Sequence, residues 1–204
     1  YLPMSVTQAE HYDELVRFYK KSPPDDKIGI LTKLMIAASY DQESYGNKIV
    51  KATAIVKENI LRSQKTIVFA KFNVVLEKFS SYLADQGIQH VCVTGQNDIE
   101  NRQRLLSNFQ TQSDCSVLLI NLAIGSEGLT LVEANNVVFL NEAWNPSTNR
   151  QAEDRVNRIG QHRPVKINIL RSLKTIDVNL EKILAQKSEL ESEYVNLLLR
   201  EVLS

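Results

Sequence analysis

The sequence predicts an α/β fold, a parallel sheet flanked by helices, with an N-terminal helical segment and C-terminal packing helices. Three observations carry that expectation. Between residues 65 and 170, short apolar runs alternate with helix-like segments, the pattern of a parallel sheet with crossover helices. Two of the runs, Val117-Leu118-Leu119-Ile120 and Val137-Val138-Phe139-Leu140, are continuous rather than alternating, as in strands covered on both faces. The first leads into a glycine-containing turn, Gly125-Ser126-Glu127-Gly128, and open α/β sheets place function in loops at the carboxyl ends of their strands.

Taken in order, residues 1–63 read as helical. Ser5 with Gln8 three positions on forms a capping-box pattern, opening a helix to about Lys20 that Pro23-Pro24 breaks. Two more helices are expected at 28–40 and 47–62. The alternation then starts with a strand at 66–70, an amphipathic helix at 74–86 stopped by Gly87, and a strand at 89–93. After the Thr94-Gly95 turn, Asn97 can cap a helix running to about Phe109, with Glu100 as the reciprocal partner. Strands at 117–121, 137–141 and 165–170 complete a set of five.

Between the last two strands lies the most informative helix. Asn145 suits its N-cap, Pro146 its first position and Gly160 its stop. Ala152, Val156 and Ile159 recur at i, i+4, i+7 as a packing stripe. Gln151, Arg155 and Arg158 repeat that spacing on an adjacent face, which presents an amide and two guanidiniums to a phosphate-bearing ligand. From Ile176 the chain reads as helical to its end. Ile176, Leu180, Ile183 and Leu184 lead a stripe that Leu190, Val195, Leu197 and Leu198 continue less regularly.

The 204 residues leave room for one large domain, or a domain with a helical annex; 43% are apolar and 24% charged, a soluble globular balance. No apolar run approaches the roughly 18 residues of a membrane span, so no membrane partner is expected. Cys92 and Cys115 lie in strand-like runs without a CxxC pattern, and His11, His90 and His162 are scattered. This argues for core thiols, no disulfide and no metal site. The expected setting is reducing and intracellular, a cytoplasm if bacterial and a nucleus if eukaryotic. The start, Tyr1-Leu2-Pro3, is neither an initiator methionine nor a signal peptide, and suggests an excised piece of a longer protein. Twenty-four basic and twenty-four acidic residues cancel, which excludes a generally polybasic binder. From Asn145 to Thr175, however, seven Lys and Arg face only Glu153 and Asp154, a local basic zone fit for phosphate.

Trp144-Asn145-Pro146, Gln151-Ala152, Asp154-Arg155 and Arg158-Ile159-Gly160-Gln161 together closely resemble the sixth motif of Swi/Snf-type ATPases. These are double-stranded-DNA translocases of helicase superfamily two. Gly125 to Leu131 resembles their fifth motif, residues 65–72 their fourth, and 93–109, with Gly95 and Arg102, their Gly…Arg…Phe stretch. Residues 2–12 resemble the segment joining the two motor lobes, and 174–184 a helix that folds back over the motor. The resemblance implies a helical interlobe segment at 1–63, a second RecA-like lobe at 64–175 and a helical extension at 176–204.

It also implies a division of labour. ATP and Mg²⁺ would be held mainly by a first RecA-like lobe, and this lobe would supply Arg155 and Arg158 as arginine fingers with Gln151 as their partner. Gly125, Gly128, Leu129 and Thr130 would form the nucleotide-coupling loop, and Lys71, Thr94 and Gly95 would touch duplex DNA. Contact through phosphates makes that binding sequence-nonspecific. Trp144 is expected to pack the corner rather than stack on a base.

Ser126, Thr130, Ala123 and Asn157 depart from the usual family residues, which weakens the expected loop contacts but removes no arginine. The chain contains no GxxxxGK[ST] loop and no Asp-Glu pair near a strand end, so alone it is expected to be a monomer that does not hydrolyse ATP. The rival readings are a strand-separating helicase and a degenerate lobe kept as a DNA or protein interaction module. The Trp-Asn-Pro corner argues against the first, and retention of Gln151, Arg155 and Arg158 against the second.

Overall fold

The computed structural model describes residues 1–41, 44–126 and 128–186. Among them, five parallel strands form one sheet in the order β2-β3-β1-β4-β5: β1 Thr66–Ala70, β2 Val91–Val93, β3 Val117–Asn121, β4 Asn136–Phe139 and β5 Lys166–Ile169. Central β1 runs in register with β3, from Thr66 opposite Val117 to Ala70 opposite Asn121, and with β4, from Thr66 opposite Asn136 to Phe139 opposite Phe69. Every residue of β1 and β4 is buried, the physical reason their sequences show no polar alternation. Because all strands point one way, the loops after β2, β3, β1 and β4 emerge in a row at one edge.

The helices are α1 Val6–Lys21, α2 Lys27–Ala37, α3 Gly46–Leu61, α4 Asn73–Asp85, α5 Ile99–Thr111, α6 Leu122–Gly125 and α7 Pro146–Val156, followed by helical residues 176–186 (α8). One sheet face, with Ile67, Phe69, Val137 and Phe139, is closed by Leu106 and Phe109 of α5 and by Ala152 and Val156 of α7. The other, with Val68, Leu119 and Val138, is closed by Ile49, Ala52 and Val56 of α3 and by Val75, Leu76, Phe79 and Leu83 of α4. The sheet's own core therefore extends back into the first 63 residues. A third cluster joins Tyr12, Ile30, Leu34 and Met35 of α1 and α2 to Ile176, Leu180 and Leu184 of α8, with Trp144 packed against it.

Buried polar contacts tie these layers together. Lys48 of α3, with its side chain wholly buried, donates to the Leu140 carbonyl (2.8 Å) and pairs with Asp177 (2.6 Å). Asp177 also accepts from Ser172 N (2.8 Å), and Ser172 Oγ donates to Ala38 O (2.6 Å). Tyr12 Oη accepts from Ile176 N (2.7 Å). Leu2 bridges to Ser172 in parallel, placing the N-terminal residues beside the chain that follows β5.

Three local expectations are corrected. Ser5 does cap α1, accepting from Gln8 N (3.2 Å), but Gln8 Nε2 turns to Ala37 O (2.7 Å) instead of back to the cap. Asp98, not Asn97, caps α5, accepting from Asn101 N (2.7 Å), because Asn97 Oδ1 is taken by Thr94 N (2.7 Å). The apolar stripe of α7 stops at Val156, and Ile159 lies beyond the helix in solvent. Leu190, Val195, Leu197 and Leu198 of the predicted C-terminal stripe, and Glu127, lie outside the described residues. No helix among the described residues is long and apolar enough to cross a membrane.

Candidate functional site

The site is built on α7 and on the segment that follows β3. Asn145 Oδ1 accepts from Ser147 N (3.1 Å) and Ser147 Oγ (2.9 Å), the N-cap its sequence position calls for, with Pro146 at the first helical position. Asn149 fixes the corner before it: Oδ1 accepts from Ala143 N (2.8 Å) and Nδ2 donates to Ala143 O (3.2 Å). Ala152 and Val156 are wholly buried against the sheet, which leaves exposed Gln151 and half-buried Arg155 on the neighbouring outer face.

Asn157 has ψ 70 and takes the chain out of the helix, so Arg158 is not in helical register with Arg155 as its spacing suggested. The two arginines nevertheless meet one segment. Arg155 Nε and Nη2 donate to the Ser126 carbonyl (3.3 and 3.0 Å), and Arg158 Nη1 donates to Thr130 Oγ1 (3.3 Å). The Arg155 carbonyl accepts from Leu131 N (2.9 Å), closing the segment onto α7. Among the described residues, neither guanidinium pairs with a carboxylate and both keep N–H donors unused. Gln151 makes no hydrogen bond among the described residues and is not drawn to either arginine.

The expected loop begins as a short helix. Asn121 caps α6 by accepting from Ala123 N (3.0 Å), while its Nδ2 donates to Lys71 O (3.2 Å) and Asn73 Oδ1 (2.7 Å). One asparagine thus locks the loop after β3 to the loop after β1. Gly125 ends α6 and is buried, whereas Gly128 is exposed at φ +59. Leu129 packs on the core, and the Thr130 carbonyl accepts from Gln110 Nε2 (3.1 Å).

Sequence reasoning left Gln161 as a motif letter without a role. Its Nε2 donates to the carbonyls of Val132 (3.0 Å), Ala134 (2.7 Å) and Val156 (3.4 Å), fastening the turn after α7 to the segment before β4. An amide directly after a turn glycine is the only signal that could have marked it.

The three remaining candidates lie in the edge row. Lys71 follows β1 and is half-buried, its Nζ 5.4 Å from the ring centre of Phe72 and 5.7 Å from that of Trp144. Burial lowers its pKa from the ordinary lysine value. Thr94 is buried after β2, and Gly95 beside it is exposed with open space around its Cα. The β3 strand lies between β1 and β2, so Lys71 and Thr94-Gly95 flank the arginine-bound segment rather than touch each other. Among the described residues, no group of three or more His, Cys, Asp or Glu could hold a metal ion.

A five-stranded parallel sheet in this order, carrying its polar groups on the loops after β3 and β4, defines a RecA-like lobe. The chain belongs to the helicase conserved C-terminal domain family, whose model matches residues 47–160, and within it to the C-terminal lobes of Swi/Snf-type helicases. It is 37% identical over 145 residues to an uncharacterised ATP-dependent helicase of Schizosaccharomyces pombe, covering 70% of this chain and 14% of that protein. It is 34% identical over 140 residues to the SWI/SNF-related matrix-associated actin-dependent regulator of chromatin subfamily A-like protein 1 of Drosophila melanogaster, covering 69% of this chain and 18% of that protein. The SWI2/SNF2 ATPase core of Sulfolobus solfataricus, solved in complex with dsDNA, shares the fold with a TM-score of 0.77 at 23% identity, covering 92% of this chain and 43% of that one. The chain thus spans less than a fifth of these two relatives' length.

Proposed function

We propose that this chain is the second motor lobe of an ATP-dependent translocase on double-stranded DNA. In this reading Arg155 and Arg158 act as arginine fingers on a triphosphate held by a first RecA-like lobe. One observation carries it: two guanidiniums with no carboxylate partner among the described residues are fixed by neutral oxygens of one segment, Ser126 O and Thr130 Oγ1. A planar guanidinium held by neutral acceptors keeps its full positive charge, which suits it to phosphate.

The described residues offer no carboxylate cluster for Mg²⁺. As the family resemblance implies, the ion would be held with the triphosphate by the first lobe, where it would supply neutralisation of phosphate charge. Gln151, exposed beside Arg155, is assigned to the phosphate or its attacking water. Because Arg155 and Arg158 hold Ser126 and Thr130, a nucleotide that draws on them also pulls on the loop containing Gly125, Gly128, Leu129 and Thr130. That is a physical route from nucleotide state to the edge row. There Lys71, Thr94 and Gly95 are assigned to duplex phosphates, a contact indifferent to sequence and sensitive to salt. Residues 1–63 serve as the interlobe segment, 64–175 as the lobe and 176–204 as the extension. The names of the relatives support remodelling of chromatin, or of nucleoprotein generally, as the setting.

The test compares the full-length protein with this chain alone. The full-length protein is expected to hydrolyse ATP with stimulation by duplex DNA of any sequence, and this chain to show no turnover. A full-length protein that binds DNA but never hydrolyses ATP would make the lobe an interaction module instead.

A further inference from the structure

Residues 130–135 are laced to residues 155–166 almost position by position. Thr130 Oγ1 accepts from Arg158 Nη1 (3.3 Å), and Leu131 N donates to the Arg155 carbonyl (2.9 Å). Further on, the Glu133 carbonyl accepts from Arg163 Nη2 (3.1 Å) and the Asn135 carbonyl from Lys166 N (2.8 Å). Gln161 makes the middle of this seam. Its Nε2 donates to the carbonyls of Val132 (3.0 Å), Ala134 (2.7 Å) and Val156 (3.4 Å), and its Oε1 accepts from Arg163 N (3.0 Å). Its backbone N donates to the Arg158 carbonyl (2.9 Å), so the same residue closes the turn that carries the arginine. Within that turn Arg158, Ile159 and Gly160 are exposed, and Asn157 at ψ 70 has already left the helix. Arg158 therefore hangs from two supports, Thr130 at its guanidinium and Gln161 at its backbone, and both stand on residues 130–134.

We propose that Gln161 is the positioning residue for Arg158: its clasp on Val132, Ala134 and Val156 fixes the backbone from which the guanidinium reaches phosphate, and Gln161 itself touches no nucleotide. The inference rests on the arginine-finger reading and deepens it. An arginine carries its charge at the end of a long side chain, so a small rotation of the turn displaces the guanidinium further than the backbone. Misplacing a group by about 1 Å costs up to about 10²-fold in rate. A half-buried amide that uses both ends of its side chain on backbone groups is suited to prevent that rotation.

The test measures ATP hydrolysis by the full-length protein at saturating duplex DNA. Gln161→Met keeps the length and bulk of the side chain but has no N–H to donate, and Gln161→Asn keeps the amide one methylene short of the carbonyls. Each variant is assayed at a temperature where its unfolding curve shows it folded. Each is expected to lower kcat roughly 10- to 10²-fold, with KM for ATP kept within about twofold. In an Arg158→Ala background the same changes should lower the residual kcat by less than about twofold, because no guanidinium is left to place. Near-normal kcat in either Gln161 variant overturns the proposal, as does a loss carried by KM. An equal fold-loss in both backgrounds also overturns it, since that is the mark of general damage to the lobe. Arg158→Ala alone separates the two claims. Lost turnover there with near-normal Gln161 variants overturns the positioning role and leaves the finger reading standing. Near-normal turnover in Arg158→Ala overturns the finger reading, and the positioning role with it.

Discussion

A methyl group added at Gly125 would stand 2.4 Å from Cε1 of Phe69, a buried ring that stacks on Phe139 with centroids 5.2 Å apart. Both rings are buried, so Gly125→Ala is expected to destabilise the chain by about 1–3 kcal/mol, as overpacked cores do. Gly128 has nothing within 4 Å of its would-be Cβ, and only its φ of +59 opposes a side chain. Gly128→Ala should therefore cost the smaller amount, roughly 1 kcal/mol. Urea unfolding of the two variants checks the ranking, and an equal or inverted order would contradict it. The sequence could not separate these glycines, because a close approach from another strand leaves no local signature. Arg155 and Arg158 were legible as a pair by their spacing. Their shared anchor at residues 126–130 was not, since it joins positions 28 and 29 apart in the chain.

The strands were legible because burial on both faces writes a continuous apolar run, and β1 and β3 fall where the sequence put them. The end of α7 was misplaced because Ile159 continues the helical period and Gly160 looks like a stop. Burial, not period, decides where a stripe ends, and the sheet supplies no cover past Val156. Least visible was the joining of elements through Lys48, whose partners Leu140 and Asp177 lie far along the chain. Removing one member of a buried pair strands the other, so Lys48→Met should lose about 3–5 kcal/mol. Asp177→Asn keeps an acceptor for Ser172 N. The double variant should therefore lose clearly less than the sum of the two singles. Chemical denaturation of all three measures this coupling, and strict additivity would show that the two groups do not depend on each other.

Across the whole molecule, three apolar clusters knit α1, α2 and α8 to a RecA-like sheet, and the groups suited to phosphate gather on α7 and on loops that leave the sheet. In the proposed reading those groups complete a triphosphate site whose other half lies on a first lobe. The claim is tested most directly by ATP hydrolysis in the full-length protein at saturating duplex DNA, with Arg155→Lys, Arg158→Lys and the double variant compared. Lysine keeps the charge but loses the planar fork. Each single change is therefore expected to lower kcat by about 10³-fold or more, with ATP affinity kept within a few-fold. The double variant should be little worse than the poorer single, because both arginines serve one closed state. Near-normal turnover in either single variant would contradict the account and leave that arginine only the task of holding the 126–130 segment.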